Sequence, residues 1–147
     1  MTTGKTGALV AGAVMVWCAF ASATAARLDT PQATTNDGIY SKAQADAAKP
    51  RFDELCAQCH AFSVAALKRP QDFPLGDEPF LKKWEGRSVG EMLTVIVTTM
   101  PLDGAAVIDD DEGLGLLAYI LQQNGFKGGA GPLTKEGAIA VVARPVK

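Results

Sequence analysis

Two thiols stand three positions apart with an imidazole straight after the second: Cys56-Ala57-Gln58-Cys59-His60. This is the spacing of a c-type haem attachment site. Each thiol can form a thioether with one vinyl side of a porphyrin. The next residue then lies under the iron, where an imidazole nitrogen coordinates it. Other chemistries explain the motif less well. A disulfide between Cys56 and Cys59 would leave His60 without a role. A zinc site takes about four ligands, and the chain holds 1 His and 3 Cys in all. A thioredoxin-like motif needs a βαβ context, for which the chain offers no confident strand.

An iron held by one histidine has a further axial position, and its occupant decides the chemistry. A thioether there raises the reduction potential and blocks substrates; an open position admits peroxide or oxygen. Met92 and Met100 are the candidates. Met92 falls inside a helical stretch, between Glu91 and Leu93, and reads as core. Met100 falls at a helix end, where the chain leaves into a loop. Spacing alone leaves it open between an iron ligand and one more core residue. An open-iron, peroxidase-like enzyme would need acid–base groups near the iron. A distal histidine is excluded by the single His, and no arginine stands beside the motif in sequence.

The elements that must position these residues fit one modest domain in 147 residues, 48% hydrophobic and 20% charged. Residues 1–26 carry Lys5, an apolar run from Ala8 to Ala21, and then small residues ending in Ala-Thr-Ala-Ala. That order is a secretory signal peptide, cut near Ala25 or Ala26. The alternative is an uncleaved anchor, for which the apolar run is somewhat short. Cys18 lies in this run and would leave with it. Cleavage after Ala26 removes one of 14 basic residues and none of the 16 acidic ones, so the mature chain carries a net charge of −3. No basic face points to nucleic acid, and no stable membrane span remains after cleavage.

Residues 27–38 read as a flexible linker. Ser41 is an N-cap for a helix from Lys42 to Cys56, with Pro50 expected to kink it near Asp46 or to start a second helix at Lys49. Residues 61–67 have room for one helical turn. Residues 69–79 hold Pro70, Pro74, Gly76 and Pro79 and read as loop, followed by a short helical or extended piece, 80–84. Ser88 and Glu91 have the form of a capping box. Val89, Met92, Leu93, Ile96 and Val97 give the helix behind them one buried face, and Pro101 ends it. Asp109 and Glu112 form a second box, opening a helix from about Asp110 to Gln123 that buries Leu114, Leu117 and Leu121, widened by Leu116 and Ile120. Asn124-Gly125 closes it with residues that tolerate left-handed backbone. Residues 127–147 read as a glycine-hinged tail with a weak helical stretch, 135–142. The fold class is all-α.

Taken together, Cys56 to His60, Trp84, Met100-Pro101 and a C-terminal helix with Leu116 and Tyr119 resemble a class I c-type cytochrome over residues 39–126. Phe52, four before the first cysteine, resembles the aromatic of the family's N-terminal helix. The resemblance implies a cytochrome c-like fold: three main helices wrapped round one covalently bound haem, with loops on one edge. It also implies one haem c, attached through Cys56 and Cys59 with His60 and Met100 as axial ligands. Trp84 resembles a tryptophan that bonds a haem propionate, a plain core aromatic being the alternative. The family uses a proline carbonyl to accept the ring N–H of the axial histidine. Pro74 is the match, one place displaced when counted from Trp84, with Pro70 as the other choice. Where the family has a helix-crossing glycine this chain has Ala48, and Gly113 and Gly115 would give clearance from the other side.

Gly38-Ile39-Tyr40-Ser41, Thr98-Thr99-Met100-Pro101 and Asn124-Gly125-Phe126 are similar to small cytochromes associated with periplasmic quinoprotein dehydrogenases. The resemblance implies a bacterial periplasmic one-electron carrier. It would take electrons from a dehydrogenase and pass them to the respiratory chain, ending at a terminal oxidase. A dedicated subunit of an oxidoreductase complex, docked through the linker or tail, is the other role weighed.

Overall fold

Each helix begins at a residue chosen by backbone chemistry. The computed structural model describes Met1, Thr2 and residues 31–146. Apart from its first two residues, the leader assigned to residues 1–26 lies outside the described residues, as does Cys18. Ser41 heads α1 (Lys42–Leu55), where its hydroxyl accepts from the Gln44 amide. Gly76 precedes α2 (Asp77–Trp84), with Pro79 in the first turn, where a missing N–H loses no helical bond. Ser88 and Glu91 form the reciprocal box at the head of α3 (Val89–Thr99). Asp109 caps α4 (Asp110–Gln123) by accepting from the Glu112 amide. Glu112 belongs to no reciprocal box there. Its carboxylate meets Arg51 of α1 at 2.5 Å.

α1 runs unbroken through Pro50, so no second helix starts at Lys49. Pro50 and Asp46 are both exposed, so the carbonyl that loses its partner can be hydrated. Among the described residues, 3-10 turns lie before α1 (Thr35–Asp37), between α1 and α2 (Val64–Ala66) and after α4 (Gly137–Ile139). Among the described residues there are isolated β-bridges and no strand. The fold is all-α, with α2 a fourth and shorter helix beside the three expected.

α4 is the centre of the core. Residues 113, 114 and 116–121 are all buried, and the helix packs mainly on α1 and also on α3. The two glycines of α4 serve different crossings. A Cβ on Gly115 would sit 3.5 Å from the Cβ of Ala48, so this small pair sets how closely α1 approaches. A Cβ on Gly113 would lie 2.7 Å from Leu93 Cδ1 and 3.1 Å from Val97 Cγ1, so Gly113 makes room for α3 instead.

Residues 31–38 of the expected linker and residues 127–146 of the expected tail are folded into the same compact unit as the helices, while residues 27–30 lie outside the described residues. Leu133, Ala138, Ala140 and Val142 are buried. The Val89 amide donates to Ala140, the Gly86 amide to Val142, and the Val142 amide back to Arg87, each at 2.9 Å. On its other side the same segment pairs with residues 33–35: Val141 donates to Ala33 at 2.8 Å, and Thr35 donates to Val141 at 2.9 Å. Arg144 holds Glu78 and Glu85. Ala138 is buried from the 3-10 turn, and Ala140 and Val142 turn inward from the segment after it. Gly38 and Gly129 let the two ends cross. A Cβ on Gly129 would stand 1.9 Å from the Gly38 carbonyl oxygen.

Candidate functional site

The motif begins where α1 ends. The Cys56 amide closes the helix on Phe52 O at 2.8 Å. The amides of Cys59 and His60 both turn back to the Cys56 carbonyl, at 3.1 and 2.8 Å. One tight turn therefore carries both thiols and the imidazole. Neither thiol is in a disulfide. Cys56 is half-buried, and burial pushes its thiol up to about 11, with Arg51 opposing and Glu112 reinforcing. Cys59 is exposed. Arg69 donates from Nη2 to its Sγ at 2.7 Å and from Nε to Asp72 at 2.9 Å. The arginine that is missing beside the motif in sequence is thus supplied by the following loop.

The His60 ring is fixed by a backbone carbonyl. Its Nδ1 lies 2.7 Å from Phe73 O. A carbonyl can only accept, so Nδ1 carries the hydrogen, and in the neutral ring Nε2 keeps its lone pair. The partner is the residue before Pro74, and neither Pro74 nor Pro70 supplies the carbonyl. The proline still has a part in this. It biases the preceding residue to extended backbone, which sets the direction of the Phe73 carbonyl. Pro74 itself is buried and Pro70 exposed.

The segment that offers this carbonyl is held on both sides. Leu75 donates to Ala61 O at 2.7 Å. Asn124 Nδ2 donates to Leu75 O at 2.7 Å and to Ile120 O at 2.8 Å. At Gly76 the chain passes so near Phe62 that a Cβ would lie 2.1 Å from Phe62 O.

An aromatic cluster backs the turn. Phe52 of α1 and Tyr119 of α4, each singled out separately in the sequence, have ring centroids 5.0 Å apart. Phe62, which the sequence reading did not single out, stacks on Phe52 at 5.2 Å and meets Tyr119 edge-on at 5.8 Å. Its signal was an aromatic two residues past the histidine. Leu75, Leu81, Val95, Ile96 and Val97 pack on the core while staying partly open.

Met100 and Trp84 stand on other elements, each at a C-terminal end. Met100 caps α3, its amide on Ile96 O at 3.2 Å, and is half-buried with extended backbone. Met92 is core, as its helical position implies. Trp84 is buried at the end of α2, with the Arg87 guanidinium 4.8 Å and Lys83 Nζ 5.1 Å from its ring centroid. Hydrogen bonds tie Cys56 to His60 and His60 to Phe73; Met100 and Trp84 come from separate helices. Among the described residues no three His, Cys, Asp or Glu side chains gather as a metal site. No protein-family model, curated protein or solved structure matches the chain.

Proposed function

We propose that the chain is a class I c-type cytochrome of cytochrome c-like fold, a one-electron carrier holding one haem c. Cys56 and Cys59 are its covalent attachment points, and His60 and Met100 its axial ligands. One observation carries the reading: His60 Nδ1 is committed to the Phe73 carbonyl at 2.7 Å, which leaves Nε2 for a metal. The donor set fits the group. Two thiols outside any disulfide share a turn with that imidazole, and a thioether stands at the end of a separate helix.

When bound, haem c supplies a ferric–ferrous couple at its iron. The chain's own residues do the rest. The Phe73 carbonyl holds the His60 tautomer and raises its basicity as a ligand. Met100 offers a soft, neutral donor. Phe62, Leu75, Ile96 and Val97, partly open apolar side chains on the core, would give the group an apolar surround, which favours the less charged ferrous state. The leader and the resemblance support export to a bacterial periplasm. The resemblance also supports a dehydrogenase, of the quinoprotein class, as electron donor and a terminal oxidase as the end of the path.

The test is expression of the full chain in a host that attaches haem c. The purified protein should carry the mass of one haem. Its oxidised spectrum should show a methionine–iron band in the far red that Met100→Ala abolishes. An unchanged chain mass, or a wild-type spectrum without the band, refutes the assignment.

A further inference from the structure

Asn124 is the C-cap of α4, with φ −84°, and Gly125 after it takes the left-handed conformation common one residue past the cap, with φ 82°. Asn124 contributes through its side chain. One carboxamide nitrogen serves two carbonyls, Ile120 O in the last turn of its own helix and Leu75 O across the chain. The first bond finishes a helix. The second reaches the segment whose Phe73 carbonyl meets His60. Leu75 in turn donates to Ala61, the neighbour of His60, at 2.7 Å. A chain of short hydrogen bonds thus runs from the end of the core helix α4 through Leu75 to both sides of the imidazole contact.

We infer that Asn124 is a positioning residue for His60. It fixes the Leu75 peptide to α4, and so fixes the distance between the Phe73 carbonyl and Nδ1. Its functional meaning rests on the proposed axial role of His60: a firmer Nδ1–H bond makes the imidazole a stronger donor through Nε2. Without Asn124 the segment is free to move and the ring bond opens more often. The imidazole then donates less, and the reduction potential moves upward.

The test compares wild type, Asn124→Leu and Gln122→Ala as purified full chains. Leu matches Asn in size and has no donor. Gln122 bonds Asp46 on α1, near the same helix end but away from Leu75. The readouts are the solvent-exchange rate of the His60 Nδ1–H by NMR and the reduction potential. Asn124→Leu should speed the exchange by about tenfold, the loss of roughly one hydrogen bond, and raise the potential. Gln122→Ala should leave the exchange within about twofold of wild type, since its lost bond does not touch the segment. Wild-type exchange in Asn124→Leu, or equal acceleration in Gln122→Ala, overturns the inference. If Asn124→Leu does not fold, Asn124→Ser, with one donor left, should still speed the exchange; a wild-type rate there overturns the inference too. Chain mass separately reports whether haem is attached. A haem-free chain defeats the carrier proposal, while the exchange comparison still decides the role of Asn124.

Discussion

Replacing Gly76 with alanine should cost far more than its single added methyl suggests. The backbone there is extended, φ −150° and ψ −173°, a conformation open to any residue. The cost is therefore purely one of space. The new Cβ would lie 2.1 Å from Phe62 O, 2.8 Å from Phe62 C and 3.1 Å from Phe62 Cα. Carbon–oxygen contacts in proteins sit at about 3.3–3.6 Å, so the two segments must part by more than about 1 Å. A shift of that size would stretch the Leu75–Ala61 bond, now 2.7 Å, to the limit of hydrogen bonding. It also loads the Asn124–Leu75 and His60–Phe73 bonds, both 2.7 Å. Two to three bonds at about 1 kcal/mol each give a loss of about 2–3 kcal/mol. Urea unfolding of the purified protein measures it. Gly131→Ala is the control: nothing lies within 4 Å of its added Cβ, and its effect should stay within about 1 kcal/mol, on the stabilising side. A Gly76→Ala protein within about 0.5 kcal/mol of wild type would refute the steric argument.

Phe52→Ala removes the central ring of the cluster with Phe62 and Tyr119 and should lower unfolding stability by about 3–5 kcal/mol; a loss under about 1 kcal/mol would show the cluster to be idle. Truncation after Pro132 removes buried Leu133, Ala138, Ala140 and Val142 and the backbone pairing to residues 33–35 and 86–89; circular dichroism should show no cooperative melt, and an unchanged midpoint would mean the segment is dispensable. Acid should destabilise the fold. Hydrogen bonds hold Asp37, Asp46, Glu78 and Glu91 below the ordinary values of 3.8 and 4.5. Their contribution is complete above those values and is lost as pH falls through them and below. The denaturation midpoint should be flat near neutrality and drop in acid, less steeply in Asp37→Asn, and an equal acid slope in that variant would remove Asp37 from the account.

What was legible followed from side-chain chemistry along one element. The Ser88–Glu91 box, the span of α4 and the apolar face of α3 are each written in residues that face a neighbour three or four positions away. What was not legible rests on backbone groups or on distant partners. The carbonyl that meets His60 could belong to any residue type, so counting prolines ended next door, at Pro74. The last segment read as a weak helix, and a single 3-10 turn forms there at Gly137–Ile139; what stayed hidden is the pairing of residues 140–142 with backbone groups at 33–35 and 86–89, far away in sequence. Arg69 reaches Cys59 only because a loop folds back, which local pattern does not report. The missed halves of Asp109–Glu112 and of Asn124 have the same origin: each side chain answers a group on another element.

The pairing of Thr35 with Val141, 106 positions later, also imposes an order of events. Beyond their own local turn, Ala33 and Thr35 lack their backbone partner until Val141 exists. Contacts between such distant positions form late, since the chain between them must first be confined. Cys56, Cys59 and His60 lie well before the closing segment. Residues 140–142 thus act as a latch: the pairing that joins residues 33–35 to residues 86–89 closes only after the helices between them have been made.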